Sequence, residues 1–186
     1  LNGFIIAAIT MVTVLQAHAG IQAGAKEVQL FGSLMNDSTG DTDSQTLMFG
    51  STINNYIKDT MSFGLVAIMM QNSSDNSDSS MVTLQGRTDL YMCDDPAAPT
   101  VPYVGLDLGT TIVTSTYESY NYWSGTTEQT TTSASLSYGV HGGVKVFTSE
   151  TSSVNVEAKW NSYKMEDAEE SSSQLSLNVG LSVYFF

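Results

Sequence analysis

The chain has 186 residues and a net charge of −13, a length that suits one domain. Charged residues make up only 13% of it, about half the usual share, and Ser, Thr, Asn, Gln and Gly fill the difference. The acidic balance excludes nucleic-acid binding, which needs a basic surface, and the absence of a continuous apolar run after Leu15 excludes a helical membrane protein, whose spans need ~20 apolar residues. The Val, Ile, Tyr, Phe and Thr content favours strands over disorder.

Phe4 to Leu15 is an apolar stretch too short to span a bilayer stably, and Ala17-His18-Ala19 follows it as a small-x-small cleavage signature. This predicts a signal peptide over 1–19, with a cut after Ala25 as the alternative, and an exported domain over 26–186. Lys26 to Asn36 reads as a first strand, with Val28, Leu30 and Leu34 on one face and Glu27, Gln29 and Ser33 on the other. DSTGDTDS (37–44) reads as a turn-rich acidic loop, and Gln45 to Ile57 as the second strand. After Lys58-Asp59-Thr60, Met61 to Gln71 is the third strand and the most apolar, followed by the polar loop NSSDNSDSS (72–80).

The fourth strand, Met81 to Met92, alternates Val82, Leu84, Leu90 and Met92 with Thr83, Gln85, Arg87 and Asp89. Cys93 to Pro102 carries all three prolines and is expected to be irregular. Cys93, the only cysteine, excludes an intramolecular disulfide and is read as a turn residue. Tyr103 to Thr116 is the fifth strand, and Tyr117 to Thr132 the longest connection. Its Tyr117, Tyr120, Tyr122 and Trp123 suit either an adhesive loop tip or an aromatic girdle. Ser133 to Phe147 is the sixth strand and Val154 to Met165 the seventh. EDAEESSS (166–173) is a further acidic loop.

The last stretch, from Gln174 to Phe186, is strictly alternating: Leu175, Leu177, Val179, Leu181, Val183 and Phe185 against Gln174, Ser176, Asn178, Gly180 and Ser182. A period of two gives one apolar and one small polar face, and a chain ending Tyr-Phe-Phe is a poor edge for a soluble protein. The reading is an all-β fold: an eight-stranded antiparallel up-and-down transmembrane barrel, in which ~9–11 residues of each tilted strand cross the hydrocarbon. The odd positions from Leu175 to Val183 are expected to face lipid, with Phe186 at the rim.

In this pattern the chain resembles the small eight-stranded outer-membrane barrels of Gram-negative bacteria, the OmpA/OmpX/OmpW-like group. The resemblance is carried by the signal peptide, by the alternating Tyr138-Gly139-Val140-His141-Gly142-Gly143-Val144 and Ala158-Lys159-Trp160 segments, and by the Gly180-x-x-x-Tyr184-x-Phe186 ending. It implies an outer-membrane location, both ends in the periplasm and four loops outside. It also implies contact with outer-membrane lipid and lipopolysaccharide, and handling by the barrel-assembly machinery through an assembly signal at Gly180, Tyr184 and Phe186. Acidic residues from Asp37 to Glu170 crowd the proposed outer loops, which hold no Lys or Arg; an extracellular ligand of these loops is the expected partner, and the barrel is expected to be a monomer.

The inward parity puts Glu27, Arg87, Asp89, Asp107, His141, Lys145, Glu157 and Lys159 in the lumen. Charges of both signs there are expected to pair into a polar plug, because isolated buried charges cost several kcal/mol. The lipid A deacylases resemble this chain in size, but their His-x-Ser pairing is absent, since Gly143 stands where Ser is needed; no catalytic residue is assigned. The acidic loops lack the Gly and terminal Glu of an EF-hand loop and read as a solvated anionic surface, so no metal or cofactor is expected. The functional expectation is a non-enzymatic barrel with a structural or adhesion-like surface role. The alternatives are a narrow porin-like channel for ions or small solutes, and a secreted soluble β-sandwich binding module.

Overall fold

The computed structural model describes residues 21–39, 42–74, 77–92, 98–121, 125–164 and 171–186, and the side chains among them except 34–39, 42–45, 74, 77, 117–121 and 125–128. The eight strands are β1 (Lys26–Thr39), β2 (Thr42–Lys58), β3 (Met61–Ser74), β4 (Ser77–Tyr91), β5 (Thr100–Asn121), β6 (Gly125–Ser149), β7 (Ser152–Tyr163) and β8 (Ser172–Phe185). Each pairs antiparallel with its neighbours in chain order, and the sheet closes on itself. The seam runs from Lys26↔Phe185 to Gly32↔Val179. A closed ring excludes the two-sheet sandwich considered above, because it has no edges and a single inner face.

The alternation read from the sequence becomes an inside and an outside. Leu106, Leu136 and Leu181 are about two-thirds exposed, whereas Glu27, Asn54 and Asp89 are at 0–1% exposure. Leu175, Leu177, Val179, Leu181 and Val183 all stand outside, as does Phe185, while Phe186 lies past the end of β8. An apolar surface this continuous marks contact with something other than water. In hydrocarbon every backbone N–H and C=O must be paired internally, which a closed barrel achieves and an open sheet does not.

Two expectations about connections are corrected. Asp37–Thr39 and Thr42–Ser44 continue the β1–β2 ladder, Asn72–Ser74 and Ser77–Ser80 continue β3–β4, and Tyr117–Asn121 pairs with Gly125–Gln129 at the tip of β5–β6. Ser, Thr and Asp there had read as loop formers, yet once a hairpin is in register its backbone bonds extend it at little entropic cost. Thr is in any case a favourable strand residue. Cross-strand hydroxyl contacts at 3.2 Å link Thr114 to Thr132 and Thr116 to Thr130. Likewise Val101 and Pro102 belong to β5: Pro102 needs no N–H there, and its carbonyl accepts the Met92 N–H at 2.9 Å. The signal peptide, Cys93, residues 166–170 of the acidic loop and the Tyr122-Trp123 tip lie outside the described residues, while Ser172 and Ser173 of that loop belong to β8.

One mouth, where β1 begins and β8 ends, is closed by Ile21–Ala25. The Gly24 N–H donates to the Tyr56 carbonyl (2.7 Å) and the Tyr56 N–H to that of Ala25 (2.9 Å). Gly24 sits at φ +91°, a conformation that glycine adopts without strain. Ile21 and Ala25 are buried against Tyr56, Tyr91, Val101, Tyr103, Phe147 and Tyr184, so a cut after Ala25 would remove part of this packing.

Candidate functional site in the barrel lumen

Inward residues fall into layers, because every strand delivers every second side chain to the same interior. Along β2 they run Tyr56, Asn54, Thr52, Gly50, Met48 and Thr46; along β4 they run Tyr91, Asp89, Arg87, Gln85, Thr83 and Met81. An aromatic layer near the termini thus gives way to a charged layer. On the β1–β3 side an apolar cluster of Phe31, Met48, Val66 and Ile68 follows it. The ring of Phe31 occupies the space over Gly50, where a Cβ would stand 2.3 Å from its nearest atom, so a side chain at this position would displace the ring.

The charged layer is one connected network. Arg87 holds Asp89 through Nε at 2.9 Å and Glu157 through Nη2. His141 bridges two carboxylates, with Nε2 2.7 Å from Asp89 and Nδ1 2.8 Å from Asp107. Lys159 reaches Asp107 at 3.0 Å and the Gln85 side-chain Oε1 at 2.8 Å, and Lys145 pairs with Glu27. Both ring nitrogens of a histidine donate only as imidazolium. With His141 in that form, carboxylates at 27, 89, 107 and 157 balance cations at 87, 141, 145 and 159. The same geometry leaves His141 no free lone pair to take a proton from a substrate.

Neutral donors complete the shells. Tyr56 donates to Glu27 at 2.7 Å, Tyr103 to Glu157 at 2.9 Å, and Ser62 and Tyr91 each to Asp89 at 3.1 Å. Lys145 Nζ also lies 5.3 Å from the centre of the Tyr103 ring, within cation–π range. All seven residues expected in a lumen polar network (Arg87, Asp89, Asp107, His141, Lys145, Glu157 and Lys159) are placed inside and buried. The tyrosines and Asn54, Ser62 and Gln85 were not singled out from the sequence, although they share the inward parity. Of the residues expected to form an assembly signal, Gly180 and Tyr184 face the lumen and Phe186 is exposed. Tyr184 exchanges a hydrogen bond with Ser153 at 2.9 Å and donates to Glu27 at 3.3 Å.

His141 reaches Asp89 across an intervening strand. Asp89 pairs with Gly105 on β5, and Gly105 with His141 on β6. The imidazole lies over Gly105, where a Cβ would meet Nε2 at 2.2 Å and the Thr88 carbonyl at 2.3 Å. Gly105→Ala is therefore expected to push the ring off Asp89. The check is the His141 side-chain NMR signature: two hydrogen-bonded N–H protons in the parent, one or none in the variant. An unchanged pair of N–H resonances would contradict this geometry.

No protein-family model matches the chain, and no curated protein matches it. Solved structures do. Neisserial surface protein A superposes with a TM-score of 0.60 at 16% identity, over 88% of this chain and 98% of that one. The N-terminal β-barrel domain of Pseudomonas aeruginosa OprF gives 0.51 at 13% identity over 88% and 98%. Ail, the attachment invasion locus protein of Yersinia pestis, in complex with the heparin analogue sucrose octasulfate, gives 0.50 at 12% over 88% and 100%. At these identities the likeness is one of fold.

Ring closure, an apolar outer belt and a polar packed interior define an eight-stranded transmembrane β-barrel of the bacterial outer-membrane type. The fold and the belt together place the chain in the outer membrane.

Proposed function

We propose that the chain is a plugged, non-catalytic outer-membrane barrel that presents an acidic surface to the outside. The observation that carries this is the charged layer: a crossed set of ion pairs reaches across the interior from β1 to β7, and an eight-stranded barrel has little interior beyond its side chains. Both ends of the chain lie on the periplasmic side in this reading, and the long β5–β6 hairpin projects outward. Lipid and lipopolysaccharide surround the belt, the barrel-assembly machinery reads the ending around Tyr184 and Phe186, and the barrel is a monomer.

The sign of the outer charge bears on what the surface meets. Ail is seen with a polysulfated ligand; a chain of net charge −13 with its acidic residues gathered in the outer hairpins repels such a polyanion, so a cationic or uncharged partner fits better. The plug itself is tested in planar bilayers. The wild-type barrel is expected to give no channel events, and reproducible unitary currents would restore the channel reading.

A further inference from the structure

Beyond the apolar cluster, the end of the lumen away from the termini opens into a blind cavity of about 300 Å³, at the small end of ligand-site volumes. Its apolar wall is Met70, Met81 and Val113; its polar wall is Thr46, Asn72, Ser79, Tyr163 and Gln174. In a chain so rich in carboxylates, none of the lining residues among the described ones carries a charge. The side chain of Gln174 donates to the Met70 sulfur at 3.2 Å, a weak acceptor that an oxygen of a ligand would readily replace. Phe31, Met48, Val66 and Ile68 block the way down on the β1–β3 side, and on the other side Gln85 ties Ser137 to Asn161 (3.0 and 2.9 Å). What enters stays at this level.

We propose that this cavity is a binding cup for a small uncharged molecule with an apolar body and one or two hydrogen-bonding groups. The thioethers and the Val113 methyls take the body, and methionine adapts to irregular shapes without a fixed geometry. The Tyr163 and Ser79 hydroxyls and the Asn72 and Gln174 amides take the polar end. Against these described residues an ion gains little, since it would lose water without meeting an opposite charge among them. The cup lies on the outer side in the orientation proposed above and is independent of whether the barrel conducts.

The sequence supplies its own control. Met69 is the neighbour of Met70 but faces lipid, 62% exposed, so methyl-labelled methionine separates cup binding from partition into detergent. The barrel is titrated with benzyl alcohol, benzoate and benzylammonium. Saturable shifts at Met70 and Met81 with benzyl alcohol, little change at Met69, and a need for at least about tenfold more of either ion are expected. Val113→Trp, which fills the cup, should abolish the shifts while the unboiled band on a gel still reports a folded barrel. If that variant does not fold, Ser79→Phe on the adjacent strand replaces it. Shifts that rise without saturation, that include Met69 equally, that are matched by the ions, or that survive the filling variant would overturn the proposal.

Discussion

Arg87→Met is expected to lower the stability of the folded barrel by about 3–5 kcal/mol, the cost of removing one partner from a buried ion pair. The loss comes less from the missing attraction than from what is left behind. Arg87 is 2% exposed and holds Asp89 and Glu157 together, with its guanidinium 5.8 Å from the centre of the Tyr103 ring. Asp89 keeps His141, Ser62, Tyr91 and Asn54. Glu157 keeps only the Tyr103 hydroxyl among the described residues, so the stranded charge sits at Glu157. Adding Glu157→Gln to Arg87→Met should therefore recover much of the loss, because the two deletions share one interaction and do not add. Urea unfolding in lipid vesicles reads both. A midpoint that scarcely moves for the single variant would show that water reaches Glu157 and that the bore is not sealed.

The outer face gives the second large effect. Leu106→Arg, on a side chain 64% exposed, should cost about 2–4 kcal/mol if that exposure is to the middle of a bilayer, and Ile57→Arg only about 0–1, since the penalty falls toward the interface. Ile57 is also strongly exposed but adjoins Lys58 and the Asp59-Thr60 turn. In water both changes would be harmless or would improve solubility. The difference between the two, read by the same unfolding assay, measures depth; equal and small effects at both sites would remove the membrane belt.

The inside-outside division was legible in the sequence because a strand has a period of two and nothing else in the chain competes with it. Val82, Leu84 and Leu90 against Thr83, Gln85 and Asp89 settle their own faces. Charged residues on the small polar parity were readable as lumenal for the same reason. Their partners were not. Arg87 to Glu157 and His141 to Asp89 join residues 70 and 52 apart, and such pairs depend on strand tilt and on which bulky residue sits between. Gly105 decides the second of them, yet in the sequence it is one glycine among 15. The strand ends were misplaced because Ser, Thr and Asp favour turns in isolation. In a hairpin already registered by the membrane segment they simply continue it, as Ser73 and Asp78 do with a 2.7 Å bond across the ladder. The cup was invisible, since no local pattern reports that Met70, Val113 and Gln174 converge.

Glu27 lies at the seam where the first strand meets the last. Its carboxylate is held by Ser182 and Tyr184 of β8 and by Lys145 of β6, residues 155, 157 and 118 positions away. During vectorial synthesis the acid therefore exists before any of these three partners does. Among the described residues, its own hairpin offers Asn54 and Tyr56. Contacts this distant make closure slow and cooperative: in a chain lacking its last strand Lys145 can still balance the charge of Glu27, but the Ser182 and Tyr184 hydroxyls that complete its hydrogen bonds are missing from the opening edge. The last strand thus supplies the final hydrogen-bond donors to an acid that the first strand laid down.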